Sequence, residues 1–159
     1  MEFNWEIISK IVGPLATLSA AIIAGKIASK YQKGNLDLAH EKMEKELFTE
    51  FNKRYDELND SLSLLTATMT IEDLYEELYK IKNKTLYNVV IDYFNLCSEQ
   101  YYWYKKNRIS KEIWNAWHSG MMYYYDTFPV IKDTWEKETK GEGYKSYYLK
   151  EPLDFFRTN

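Results

Sequence analysis

Fifteen consecutive residues without a charge, Ile11 to Gly25 (IVGPLATLSAAIIAG), constrain this chain more than any other segment. Small residues recur through it at every fourth position. One stripe is Gly13, Thr17, Ala21, Gly25 and Ser29, and the stripe beside it is Ala16, Ala20, Ala24 and Ala28. In water such a helix makes a poor core, because alanine and glycine bury little apolar area. In lipid, small-residue stripes let helix backbones approach closely and pack on one another. The segment therefore predicts a self-associating N-terminal membrane anchor over residues 1–32.

A spanning helix needs about 20 mostly apolar residues. The run reaches that length when Ile7, Ile8 and Ile27 join it, which also brings in Lys10 and Lys26 near its ends. Long lysine stems can carry their charges out to the headgroups. Trp5 and Tyr31 flank the segment where interfacial aromatics are expected. Gly13 and Pro14 are expected to kink or loosen the first turns. A cleaved secretory signal is rejected, because the first six residues carry Glu2 and Glu6 and no Lys or Arg. Lys26, Lys30 and Lys33 follow the run and only Lys10 precedes it. The positive-inside rule then predicts a single-pass inner-membrane protein, with its N-terminus outside and its C-terminal domain in the cytoplasm.

The remaining residues suffice for one domain of about 120 residues. Three prolines and six glycines among 159 residues favour helices throughout, and no useful stretch alternates with period two. The net charge of −3 is too mild to argue for a polyanion-binding protein as a whole. A single cysteine, Cys97, excludes a disulfide framework. Aromatics make up 17% of the chain, and 19 of the 27 lie between Tyr87 and Phe156, so the C-terminal half is where the packed body is built.

The expected fold is all-α: the transmembrane helix continues into a long stalk helix, and a cytosolic antiparallel helical bundle follows. Leu36, Ala39, Met43, Leu47, Phe51, Tyr55, Leu58, Leu62 and Leu65 form an unbroken helical stripe, with charges of both signs between them. This assigns residues 33–66 to a stalk, coiled against its neighbours, with Gly34 as its weak point. Residues 67–159 form the aromatic-rich domain. Within it, Thr70 and Asp73 have capping-box spacing and predict a helix from Ile71 to Lys82. A second helix begins near Asn83 to Thr85 and runs to about Lys106, on a face of Leu86, Val90, Tyr93, Cys97, Tyr101 and Tyr104. Ser110 caps a third, on a face of Ile113, Trp117, Gly120, Met121, Tyr124, Phe128, Ile131 and Trp135. Pro129 breaks that pattern near Phe128, and a short last helix ends near Glu138. Lys140 to Gly143 reads as a turn, and the aromatic tail from Tyr144 to Phe156 as packing back on the body.

Catalytic and metal-binding groups are sparse. His40 falls in the charged stalk, and His118 beside Trp117 reads as a partly buried, hydrogen-bonded residue. Cys97 on an apolar face behaves as a small hydrophobe. Glu72, Asp73, Glu76 and Glu77 have no histidine beside them and read as a solvated face. No glycine-rich phosphate loop occurs. No catalytic residue, metal site or cofactor is therefore assigned. One motif carries binding chemistry: Tyr102, Trp103, Lys105, Lys106 and Arg108, at a helix end, set aromatics that stack on bases against cations that hold phosphates. The same residues also read as packing aromatics followed by cations that suit the helix dipole. Tyr144 to Lys150 repeats the pattern more weakly.

The anchor, the segment Phe51 to Asn59 (FNKRYDELN), the helix from Tyr93–Phe94 to Trp103, and Ile109–Ser110 leading into Trp114 together resemble small bacterial single-span membrane proteins with a helical cytosolic domain. The layout is similar to antiphage-defence membrane effectors, of which the Hailong-type effector, held closed by a DNA oligomer, is one example. The resemblance implies a cytosolic domain that receives a signal and membrane helices that leak ions.

The leading expectation is accordingly a homo-oligomeric ion channel or membrane-perturbing pore of antiviral defence. Its ligand would be a nucleotide or a short single-stranded oligonucleotide, and a defence-system protein is a further expected partner. One helix per chain cannot line a pore alone, so a symmetric assembly is required, with four subunits as the simplest guess. Gly13, Thr17, Ala21 and Gly25 would make the helix contacts in the lipid bilayer, and Thr17 and Ser19 would face a lumen. The alternatives are a membrane-tethered adaptor without a pore, whose helical domain binds a protein partner, and a soluble helical oligomer with an apolar first helix.

Overall fold

The computed structural model describes residues 5–76 and 83–156, with the backbone alone for residues 5–15. Among the described residues the chain is all-helical, with four α-helices and no strand. It divides into two compact units, Met1–Lys42 and Met43–Asn159.

Helix α1, Trp5–Leu62, belongs to both units. It runs unbroken through Gly13–Pro14 and Gly34, the positions expected to weaken it. One glycine costs about 1 kcal/mol in a helix interior, too little to stop a helix of this length. In the first unit every described residue from Ala16 to Ala39 is exposed. In the second unit the stripe turns inward, where Phe51 and Leu62 are buried and Leu47, Tyr55 and Leu58 are partly buried against the core.

The expected helix from Ile71 is not formed in its described part. A single 3-10 turn, Asp73–Tyr75, stands in its place, and Glu77 to Lys82 lie outside the described residues. The capping pair does form: the Thr70 amide and hydroxyl both donate to Asp73 Oδ2, at 2.7 and 3.1 Å. The Asp73 amide points back to Thr70 Oγ1 at 3.4 Å. That bond set closes one turn and draws Leu74 into the core, after which Glu76 becomes extended. Glu72 and Glu76 are therefore not one α-helical turn apart, and Glu77 of the acidic cluster lies outside the described residues.

Helix α2, Leu86–Lys105, is capped by Thr85, whose side chain accepts from the Asn88 amide at 3.3 Å. Helix α3, Lys111–Thr127, begins after Ser110, which has the extended backbone of a cap, yet its side chain makes no capping bond. Its amide instead donates to Glu44 Oε1 of α1. Helix α4 is Pro129–Thr139, with Pro129 in the first turn and Phe128 extended between the two helices. A proline has no N–H to lose at that place and excludes the helical state just before it, so the α3–α4 break is written in one residue.

The core of the second unit is aromatic. Trp135 is fully buried, with ring centroids 4.9 Å from Phe94, 4.9 Å from Tyr147 and 5.0 Å from Phe155. Its Nε1 donates to the Pro152 carbonyl at 2.7 Å. The tail therefore packs on the body through Tyr147, Leu149, Phe155 and Phe156, all buried. It turns back at Lys140–Gly143, where Gly141 has a φ of +67°. A Cβ on Gly143 would lie 2.0 Å from the Glu138 carbonyl oxygen, so only glycine fits there.

Burial holds several acids of this core in their neutral forms. Desolvation pushes the Cys97 thiol up to about 12 and the Tyr147 phenol up to about 12. Burial likewise raises Tyr93, Tyr87 and Tyr124, the latter two helped by hydrogen bonds to Glu138 and Tyr55. Unfolded tyrosine and cysteine titrate near 10 and 8.5. A raised folded value adds stability that is complete below the unfolded pKa and is lost as pH climbs through the folded one. The urea midpoint of the second unit should hold between pH 7 and 8 and fall steadily above about pH 10. A midpoint equal at pH 8 and pH 11 would contradict this assignment.

Candidate functional site

The aromatic-cation motif closes α2. The chain leaves the helix through Asn107, whose φ of 54° is left-handed, and the Arg108 amide donates to the Trp103 carbonyl at 3.0 Å. This turn leaves Tyr102, Lys105 and Lys106 exposed and Trp103 and Arg108 partly buried. Lys105 Nζ sits 5.8 Å from the centre of the Tyr101 ring and Lys106 Nζ 5.5 Å from that of Tyr102. Each contact is worth about 0.5–1 kcal/mol at an exposed site, so the ammonium groups are held near the rings without being buried.

The fold brings the tail's weaker motif to the same place. Tyr148 lies with its ring 5.4 Å from Tyr102, and Trp103 meets Tyr102 edge-on at 5.5 Å. Tyr148 has a left-handed φ of 60° and is 64% exposed, and Tyr102 is 37% exposed. The outcome is a surface with two open tyrosine rings beside Lys106, chemically suited to stack a base and hold a phosphate. The separation of 46 positions from Tyr102 to Tyr148 hides this meeting from sequence reading.

Trp114 was absent from the expected face of α3, yet it is buried to 1% exposure between the Tyr104 ring, parallel at 4.8 Å, and His118, stacked at 5.5 Å. The expected hydrogen bond to His118 is not formed at Nε2, which is buried without a partner, as is Trp114 Nε1. Stacking on Trp114 holds the imidazole in its place. Gly120, expected on the buried face, is exposed.

Of the residues predicted to pack or line a membrane assembly, Thr17, Ser19, Ala21 and Gly25 are exposed on α1, and Gly13's surroundings lie outside the described residues. Apart from the adjoining residues and the helix's own backbone, no atom lies within 4 Å of where a Gly25 Cβ would stand. Among the described residues no helix is long and apolar enough to cross a membrane. The described side chains begin at residue 16, so they cover only the ten residues 16–25 of the Ile11–Gly25 run. Among the described residues no group of three His, Cys, Asp or Glu side chains could hold a metal ion. No protein-family profile, curated protein or solved structure matches this chain.

Proposed function

We infer that this protein is an oligomeric membrane effector, whose N-terminal helices gather side by side in a bilayer as a pore or membrane-perturbing bundle. One observation carries the reading. Leu18, Ile22, Ile23, Ile27, Tyr31, Leu36 and Leu38 are 52% to 74% exposed on α1. Seven large apolar side chains in one stretch need a cover, and lipid with neighbouring copies of the helix supplies one. Together with Ile7, Ile8 and the run from Ile11, the segment has the length a bilayer asks for.

In this reading Gly13, Thr17, Ala21 and Gly25 form the close helix contacts, Thr17 and Ser19 face the lumen, and three lysines after the run keep the second unit in the cytoplasm. The Tyr102–Tyr148–Lys106 surface receives a nucleotide or short oligonucleotide. Such a ligand gates the assembly only through its different affinities for the open and closed states. The resemblance in layout to antiphage-defence effectors supports a role in bacterial defence.

Replacing Gly13, Thr17, Ala21 and Gly25 together by leucine should disperse the oligomer and abolish dye efflux from liposomes, while membrane binding stays. Leucine keeps the apolar character and removes only close approach. Assembly and efflux that both survive would overturn the packing role. A wild-type protein that binds liposomes and releases no dye would instead select a membrane-tethered adaptor.

A further inference from the structure

Among the described residues, Asn83, Asn107, Gly141 and Tyr148 have a left-handed backbone. Asparagine and glycine adopt that conformation readily, and a bulky aromatic does not. Tyr148 is the exception. It ends the 3-10 turn Gly143–Tyr147, a position that glycine or asparagine ordinarily takes at a helix end. Burial does not offset the strain, because Tyr148 is 64% exposed while Tyr147 and Leu149 on either side are buried. Strain at a residue whose side chain packing does not require marks functional positions.

The strained backbone holds the Tyr148 ring beside the end of α2, 5.4 Å from the Tyr102 ring and tilted 50° to it. A base inserted between two rings needs about 7 Å from centre to centre, twice the stacking rise of about 3.4 Å. This pair is too close to admit one. Tyr102 is further occupied, since Lys106 Nζ lies over its ring at 5.5 Å and Trp103 meets it edge-on at 5.5 Å. The aromatic surface left to a ligand here is the outward side of Tyr148, with the exposed Lys106 ammonium as the cation beside Tyr102. One ring and one ammonium match one base and one phosphate.

Taking this surface as the ligand site inferred above, we propose that it holds a single nucleoside monophosphate, whose base stacks on the outward side of Tyr148 while its phosphate meets Lys106. Tyr148 keeps a side chain that its backbone disfavours because that side chain carries the base.

The test uses the full-length protein in detergent micelles, titrated by calorimetry with adenosine 5′-monophosphate, adenosine and the linear tetra-adenylate. One monophosphate should bind per chain, and adenosine, without the phosphate, at least about tenfold more weakly. Tetra-adenylate should gain less than about fivefold over the monophosphate, the least that one further stacked base adds. Tyr148→Gly should weaken the monophosphate at least about fivefold, yet its thermal midpoint should not fall, because glycine fits the left-handed backbone. Tyr148→Asn, which that backbone also accepts, repeats the measurement should the glycine variant not fold. A folded variant without the ring that binds the monophosphate normally, a lowered midpoint, or a larger gain for tetra-adenylate would overturn the proposal. That larger gain would leave the surface as the ligand site and remove only its limit of one nucleotide. No saturable binding of either nucleotide would remove the ligand role of the surface itself.

Discussion

Trp135→Ala should destabilise the second unit by about 3–5 kcal/mol, the usual cost of removing a fully buried large aromatic. Trp135 is the hub on which α2, α4 and the tail meet: Phe94, Tyr147, Phe155 and Phe156 all have ring centroids within 5.5 Å of it. Its Nε1 also holds the Pro152 carbonyl. Native domains are stable by only about 5–15 kcal/mol, so this one change removes a large share. Trp135→Phe keeps most of the apolar body and loses the hydrogen bond, so its cost should be distinctly smaller. Urea unfolding followed by near-ultraviolet circular dichroism measures both. A Trp135→Ala loss under 1 kcal/mol would mean that the tail does not close the core.

Parts of this architecture are local in origin and were legible in the sequence. Pro129 ends α3 because its ring excludes the helical state of Phe128, and Thr85 starts α2 by offering its hydroxyl to a free amide. The inward stripe of α1 through Phe51 and Leu62 follows from 3.6-residue periodicity, as does the tail's packing from its aromatic content. The missed features depend on what comes across from elsewhere. Counting from Ile113 put Trp117 on the buried face and passed over Trp114, whose burial is set by Tyr104 of α2. The Thr70–Asp73 spacing predicts the start of a helix, but its bonds close only a 3-10 turn.

The second large effect concerns α1. Leu18→Asp combined with Ile22→Asp should abolish membrane association while leaving the second unit folded. A carboxylate near the middle of a membrane helix costs about 2.5–3.5 kcal/mol on insertion scales, so two cost about 5–7 kcal/mol, enough to shift partition by more than a thousandfold. In water the same substitutions at exposed helix positions change stability by about 0.5 kcal/mol or less each. Both positions are more than half exposed, so no core of the chain is disturbed. Flotation of the variant with liposomes, beside its near-ultraviolet spectrum, separates the two environments. A double variant that still floats would show that these side chains do not rest in lipid.

The most direct test of the whole account is alkaline carbonate extraction of membranes from cells expressing the unaltered chain. Lipid around the exposed apolar side chains of α1 predicts that the protein stays in the pellet after the wash and leaves it only with detergent. Recovery of the chain in the carbonate supernatant would contradict the membrane assembly.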